Sequence, residues 1–345
     1  MKKSYIEILR VIATLAVVLL HINMTLPANY TKTELGLFNY ALFENMYMLV
    51  SWAVPVFFMI SGALLLEPSK HIDLNKVKKY LGKMLVILFT FGSFYAFLEI
   101  FFYERSIKIN YILRAVWNVV IGKSWDNLWY IYVLIGLYIL LIPLKCIVDK
   151  LDTQLFEIFL MFLIVGCFVI PSINNYFNLT IKDCMLISDP VVYFILGYYI
   201  SITKRDLRKI SLIGIFISPI MLVITTTLDV YGYGNGIAAN AQTCNIFRLY
   251  FAVSIFFLVK KRNENREKNI HNSILRQIIE TISSLSFGIY LIHPFFINLI
   301  YKVLGITPIS GAVIWMIILL MVVVLILSMI GTIILKKMPI IRNYI

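Results

Sequence analysis

The sequence predicts an all-α fold: a polytopic membrane helix bundle of about ten transmembrane helices with both termini in the cytoplasm. Three observations carry this. Of 345 residues, 61% are apolar and only 14% charged, with a mean hydropathy of +0.88. A soluble domain is about 45–50% apolar and about 25% charged. The apolar residues gather in stretches near the roughly 20-residue length a helix needs to cross a bilayer. The basic residues fall mostly on alternate loops.

Ten segments meet that ruler: 5–25, 43–66, 80–103, 128–148, 155–172, 188–202, 211–229, 246–260, 285–303 and 312–335. The sixth and eighth are the short ones. Strands are excluded, because in lipid the backbone groups must pair within each segment. With the N-terminus inside and the sides alternating, the inner segments hold 23 of the 31 Lys and Arg and the outer segments 8. That is the positive-inside bias. It accounts for most of the net charge of +13 and leaves nucleic acid no part as a partner. The first span, preceded by Lys2 and Lys3, has the look of a signal peptide. Arg10 interrupts its apolar run and no small-x-small site follows His21, so it is read as a retained helix.

No P-loop, GxGxxG or HExxH occurs, and the four cysteines, at 146, 167, 184 and 244, have no metal or redox spacing. No metal is predicted. Cys184 and Cys244 both fall on the outer side; whether they pair is left open. Asn178-Leu179-Thr180 matches a glycosylation sequon. No hydrophilic stretch is long enough for a second domain, so residues 1–345 read as one integral membrane domain.

The first span, ILRVIATLAVVLLHI, carries Arg10 and His21. Eleven residues separate them, which on a helix is an offset of about 20° and a rise of about 16 Å. Glu7 and Thr14 lie near the same stripe, and Glu7 is three residues from Arg10, within ion-pair reach. A polar stripe on a membrane helix faces the bundle interior or a wet cavity. The alternatives are an Arg10 that snorkels to the headgroups and a His21 that sits at the outer interface. His293, before Pro294 in the ninth span, is either a functional group or a histidine bonded between helices. Ser61-Gly62 in the second span suits close helix contact or a pocket wall. Trp129 and Tyr130, at the outer end of the fourth, suit an interfacial belt or a stacking surface for a sugar, while Tyr132 suits the belt.

Arg, ten residues, then His in the first span resembles the motif of the acyltransferase-3 family of integral membrane acyltransferases. Three more stretches are similar to that family in the same order: VPVFFMISGALLL from Val54, LWYIYVLIGLYILLIP from Leu128 and SLSFGIYLIHPFF from Ser284. The resemblance runs through most of the chain. It implies an O-acyltransferase that moves an acyl group, acetyl by default, from cytoplasmic acyl-CoA to a hydroxyl of an envelope or surface carbohydrate. A bacterial plasma membrane is then the expected location, and bilayer, acyl-CoA and a glycan or glycan-lipid are the expected partners. Larger members carry arginines after the second helix thought to engage the donor. Here that loop holds only lysines, of which Lys78, Lys79 and Lys83 can meet phosphates as point charges or simply anchor topology.

On this reading His21 is the base for the acceptor hydroxyl, or carries the acyl group itself. Arg10 meets the CoA phosphate or pantetheine arm and Glu7 orients Arg10. Ser61, Trp129, Tyr130 and His293 line the acceptor side. Two other classes fit the same features: a transporter of a small polar solute or polysaccharide, and a non-catalytic partner of a polysaccharide synthase.

Overall fold

The computed structural model describes residues 4–104, 108–177, 179, 188–233, 246–266, 274–339 and 341–345. Every regular element among them is helical. In chain order these are α1 (Ser4–Asn29), α2 (Lys32–Leu35), α3 (Leu37–Val50), α4 (Ala53–Leu65), α5 (Leu74–Glu104), α6 (Ile109–Val120), α7 (Trp129–Ile139), α8 (Leu141–Lys150), α9 (Thr153–Ile164), α10 (Ile170–Phe177), α11 (Asp189–Ile202), α12 (Arg208–Val230), α13 (Ile246–Arg266), α14 (Ile274–Asn298) and α15 (Val313–Lys337). Cys184, Cys244 and the ends of the sequon lie outside the described residues.

Among the described residues, seven spans are long and apolar enough to cross a membrane: Ser4–Asn29, Leu37–Leu65, Leu74–Glu104, Thr153–Asn174, Arg208–Val230, Ile274–Val303 and Val313–Lys337. The pair α7–α8 makes an eighth if counted as one span bent by 55°. The estimate of ten is therefore approximate. The two segments that miss the criterion are α11, only 14 residues long, and α13, whose last turns carry Lys260, Lys261 and Arg262. The bend between α7 and α8 has a local cause. Pro143 has no N–H for the Ile139 carbonyl, and α7 ends at Ile139. Between α9 and α10 the helix widens into a π turn, Val165–Val169.

The helices form two compact units. The first comprises Met1–Glu67 and Asp152–Thr332, the second Pro68–Leu151 and Ile333–Ile345. In the second, α5 packs on α6 and α7, and the Tyr95 and Trp125 rings stack at 4.3 Å. The Tyr132 hydroxyl donates to the Val119 carbonyl near the end of α6. It ties two helices together there, which a belt at the membrane surface does not require. Lys145 is buried and paired with Asp149 at 2.8 Å.

In the first unit α1 is central, packing against α3, α4, α13 and α14. Val18, Ile22 and Leu26 of α1 share an apolar cluster with Leu285, Ile289 and Ile297 of α14 and with Ile317, Leu320 and Val324 of α15. Beside it, α4 and α11 meet backbone to backbone. A Cβ added at Gly62 would fall on the Phe194 carbonyl, and one at Gly197 would fall on the Met59 carbonyl. The two glycines face each other's helix, the small-residue contact by which membrane helices approach closely. Gly62→Val should therefore lower the thermal unfolding midpoint in detergent, at a cost of about 1–3 kcal/mol for overpacking. Gly82→Ala, inside α5 with open space around it, should leave the midpoint unchanged or raise it, since Ala favours a helix interior over Gly by about 0.5–1 kcal/mol.

Candidate active site: a histidine pair on two membrane helices

The polar side chains of α1 illustrate how this helix tolerates an apolar surround. Thr14 donates to the Arg10 carbonyl (2.7 Å), Asn23 to Leu19 (2.8 Å), Thr25 to His21 (2.6 Å) and Asn29 to Thr25 (2.6 Å). Each finds its acceptor one turn back, so no neighbouring helix has to supply it. His21 follows the same rule, with Nδ1 2.9 Å from the Val17 carbonyl.

That nitrogen has a second neighbour. Nε2 of His293 on α14 lies 3.1 Å from Nδ1 of His21, with the ring centroids 4.8 Å apart and inclined at 61°. His293 is fully buried, and its own Nδ1 is 2.9 Å from the Ile289 carbonyl. Its ring also reaches the Tyr290 carbonyl, the group whose helical donor is missing because residue 294 is proline. The Tyr290 ring lies 6.3 Å from that of His293. Next to His21, the Tyr301 hydroxyl donates to the Ile22 carbonyl at 3.2 Å.

These contacts fix the tautomers. A carbonyl only accepts, so Nδ1 of His293 must carry its proton, and in the neutral ring Nε2 then holds a lone pair. That lone pair faces Nδ1 of His21, which also faces a carbonyl. Nδ1 of His21 is therefore the N–H, shared between Val17 and His293. The basic nitrogen of the pair is Nε2 of His21. When it takes a proton, the Nδ1–H keeps both of its acceptors.

The structure thus brings His21 and His293 together. His21, partly buried, turns to a partner on a neighbouring helix, and His293 makes that inter-helix contact. Arg10 and Glu7 are partly buried on the same helix, and Glu7 is within electrostatic range of Arg276 at the start of α14. Ser61 is partly buried and donates to the Phe57 carbonyl at 2.9 Å; its neighbour Gly62 makes the helix contact. Lys78, Lys79 and Lys83 on α5 and Trp129 and Tyr130 on α7 belong to the second unit. Lys78 and Lys79 are exposed, and the Trp129 and Tyr130 rings meet edge to face at 6.5 Å. Sequence reasoning gave no part to Tyr290 or Tyr301. The spacing of Tyr290 and His293, three residues apart on one face, was the available signal for the first. Among the described residues no cluster of metal-binding side chains occurs.

A family model described as an acyltransferase domain matches residues 3–336, nearly the whole chain and both units. No curated protein and no solved structure matches.

The tautomers are open to direct measurement. In ¹⁵N-histidine-labelled protein at a pH where the pair is neutral, His21 should show a protonated Nδ1 and an unprotonated Nε2. An Nε2–H tautomer at His21 would contradict the assignment.

Proposed function

The chain belongs to the acyltransferase-3 family and is an integral membrane protein, and from that premise we propose that it is an O-acyltransferase. It moves an acyl group, acetyl by default, from acyl-CoA on the cytoplasmic side to a hydroxyl of an envelope or surface carbohydrate. A bacterial plasma membrane is the proposed location. The observation that carries the reading is the His21–His293 contact. It supports the reading because it holds Nδ1 of His21 as the N–H, which makes Nε2 the basic nitrogen of that ring.

Acyl transfer then proceeds in balanced steps. The acceptor hydroxyl gives its proton to Nε2 of His21 as its oxygen attacks the thioester carbonyl carbon. The tetrahedral intermediate collapses, the C–S bond breaks, and the thiolate leaves. The imidazolium returns the proton to the sulfur, releasing CoA as the thiol. If His21 carries the acyl group instead, the same nitrogen attacks the thioester carbonyl, the C–S bond breaks and CoA leaves as thiolate. The acceptor oxygen then attacks the acyl carbon, the C–N bond to the imidazole breaks, and the hydroxyl proton goes to the thiolate, releasing CoA as the thiol. His293 does equivalent work in both routes: it accepts from Nδ1 and holds the ring with Nε2 presented. Arg10, about 16 Å along α1 from His21, lies toward the end that the charge bias assigns to the cytoplasm, and serves the donor phosphates or pantetheine arm. Within the same unit as His21, Ser61 is proposed for the acceptor.

The test uses inside-out vesicles loaded with envelope glycan precursors and given radiolabelled acetyl-CoA. Wild type should label the glycan. His21→Ala, expressed at the same level, should lose at least about 10²–10⁴-fold, the usual contribution of a positioned base. Arg10→Ala should chiefly raise KM for acetyl-CoA. Full transfer by His21→Ala would refute the mechanism, and an unchanged KM would make Arg10 structural.

A further inference from the structure

A cavity of about 250 Å³ opens in the first unit where α11 ends and α13 turns charged. Thr203, Lys204 and Arg205 form one wall; Phe257, Lys260, Lys261 and Glu264 of α13 form the other. Four cations thus face one carboxylate.

The charges have different jobs. Lys260 is only 8% exposed, and its ammonium donates to the Ile200 carbonyl at 2.8 Å, capping the negative end of α11. Arg205 meets Glu157 at 2.6 Å. Glu264 is divided between Lys260 (3.7 Å) and Lys261 (3.4 Å). Asp206 lies within range of Lys261 but is bound by Arg208, whose hydrogen bonds hold its carboxyl down at about 2. Lys204 has no ion-pair partner among the described residues. Of the residues lining the cavity, Glu264 is the one acidic group. Topology alone asks only for cations on this side of the membrane. It does not ask for a buried lysine, or for cations on facing walls of one cavity.

Size and position narrow the ligand. Sites that enclose a whole drug-sized ligand run to about 300–1,000 Å³, so this cavity accepts one anionic end of a larger molecule. Glu264 on the cavity wall lies within electrostatic range of Tyr5 in the first turns of α1, and the Phe256 ring of α13 meets the Tyr5 ring at 6.0 Å. The cavity therefore adjoins the end of α1 from which the Arg10–His21 stripe begins, and His21 is about 24 Å further along the axis from Tyr5.

We propose that this cavity binds a phosphate group of a larger ligand, with Lys204 and Lys261 as its principal contacts. Two sources share that chemistry: the nucleotide end of the acyl-CoA donor, and the headgroup of an anionic phospholipid. The first deepens the acyl-transfer reading and rests on it; the second does not.

The full chain would be placed in nanodiscs of phosphatidylcholine, and CoA binding measured by calorimetry without turnover. Lys204→Glu/Lys261→Glu, shown to unfold at the wild-type temperature, should weaken CoA by at least about tenfold, since a single charge-assisted contact is worth that much. In a second arm, discs with phosphatidylglycerol would be analysed by native mass spectrometry for retained lipid. Weakened CoA assigns the phosphate to the donor. Unchanged CoA with loss of retained phosphatidylglycerol assigns it to lipid. If neither ligand responds to the charge reversal, the cavity is not a phosphate site. No transfer by wild type in the vesicle assay, with CoA binding intact, would count against the proposed enzyme and not against the cavity.

Discussion

Two imidazoles 3.1 Å apart inside an apolar bundle constrain this structure more than any other contact. Their residues are 272 positions apart in the chain, so the contact exists only if α1 and α14 run side by side in one register. The apolar cluster shared by α1, α14 and α15 sets that register. Backbone carbonyls one turn back then orient both rings. Polar atoms in this setting need partners, because an unmade hydrogen bond in a dry interior costs about 1–3 kcal/mol. Meeting that requirement with carbonyls and a second imidazole holds Nδ1 of His21 as the N–H and makes Nε2 the basic nitrogen of that ring.

The same requirement explains features around the site. The threonines and asparagines of α1 bond to their own helix, which leaves its outer faces for apolar packing. Pro294 omits one helical donor, and the carbonyl so released lies beside the His293 ring. Further out, Gly62 and Gly197 let α4 and α11 touch through their backbones. That contact helps place the short, largely buried α11, whose end forms a wall of the basic cavity.

Hydropathy made the spans legible, because each helix must be apolar over a bilayer's width whatever its neighbours. It blurred where length and charge compete: α11 is short, and α13 continues past its apolar part into Lys260, Lys261 and Arg262. The bend before Pro143 and the π turn at Val165–Val169 depend on local backbone bonding, which average hydropathy does not register. Helical spacing was enough to put Arg10 and His21 on one stripe. It could not reveal the partner of His21, since periodicity speaks only within a helix. His293 stood out as an ionisable group in a span, yet its contact depends on packing between distant segments. Likewise Lys204, Arg205, Lys260 and Lys261 read as topological anchors in the sequence. Only the meeting of two helix ends shows them lining one cavity.

The central claim is that His21 and His293 act as one unit, and a double-mutant cycle on the rate of acyl transfer tests it most directly. His21→Gln, His293→Gln and the double variant would be compared with wild type under saturating acetyl-CoA. Residues that work as a unit are strongly non-additive. The account predicts that His293→Gln slows transfer in the wild-type background and that the double variant is no slower than His21→Gln alone. Losses that simply multiply would mean that the two imidazoles act independently, and would contradict the account.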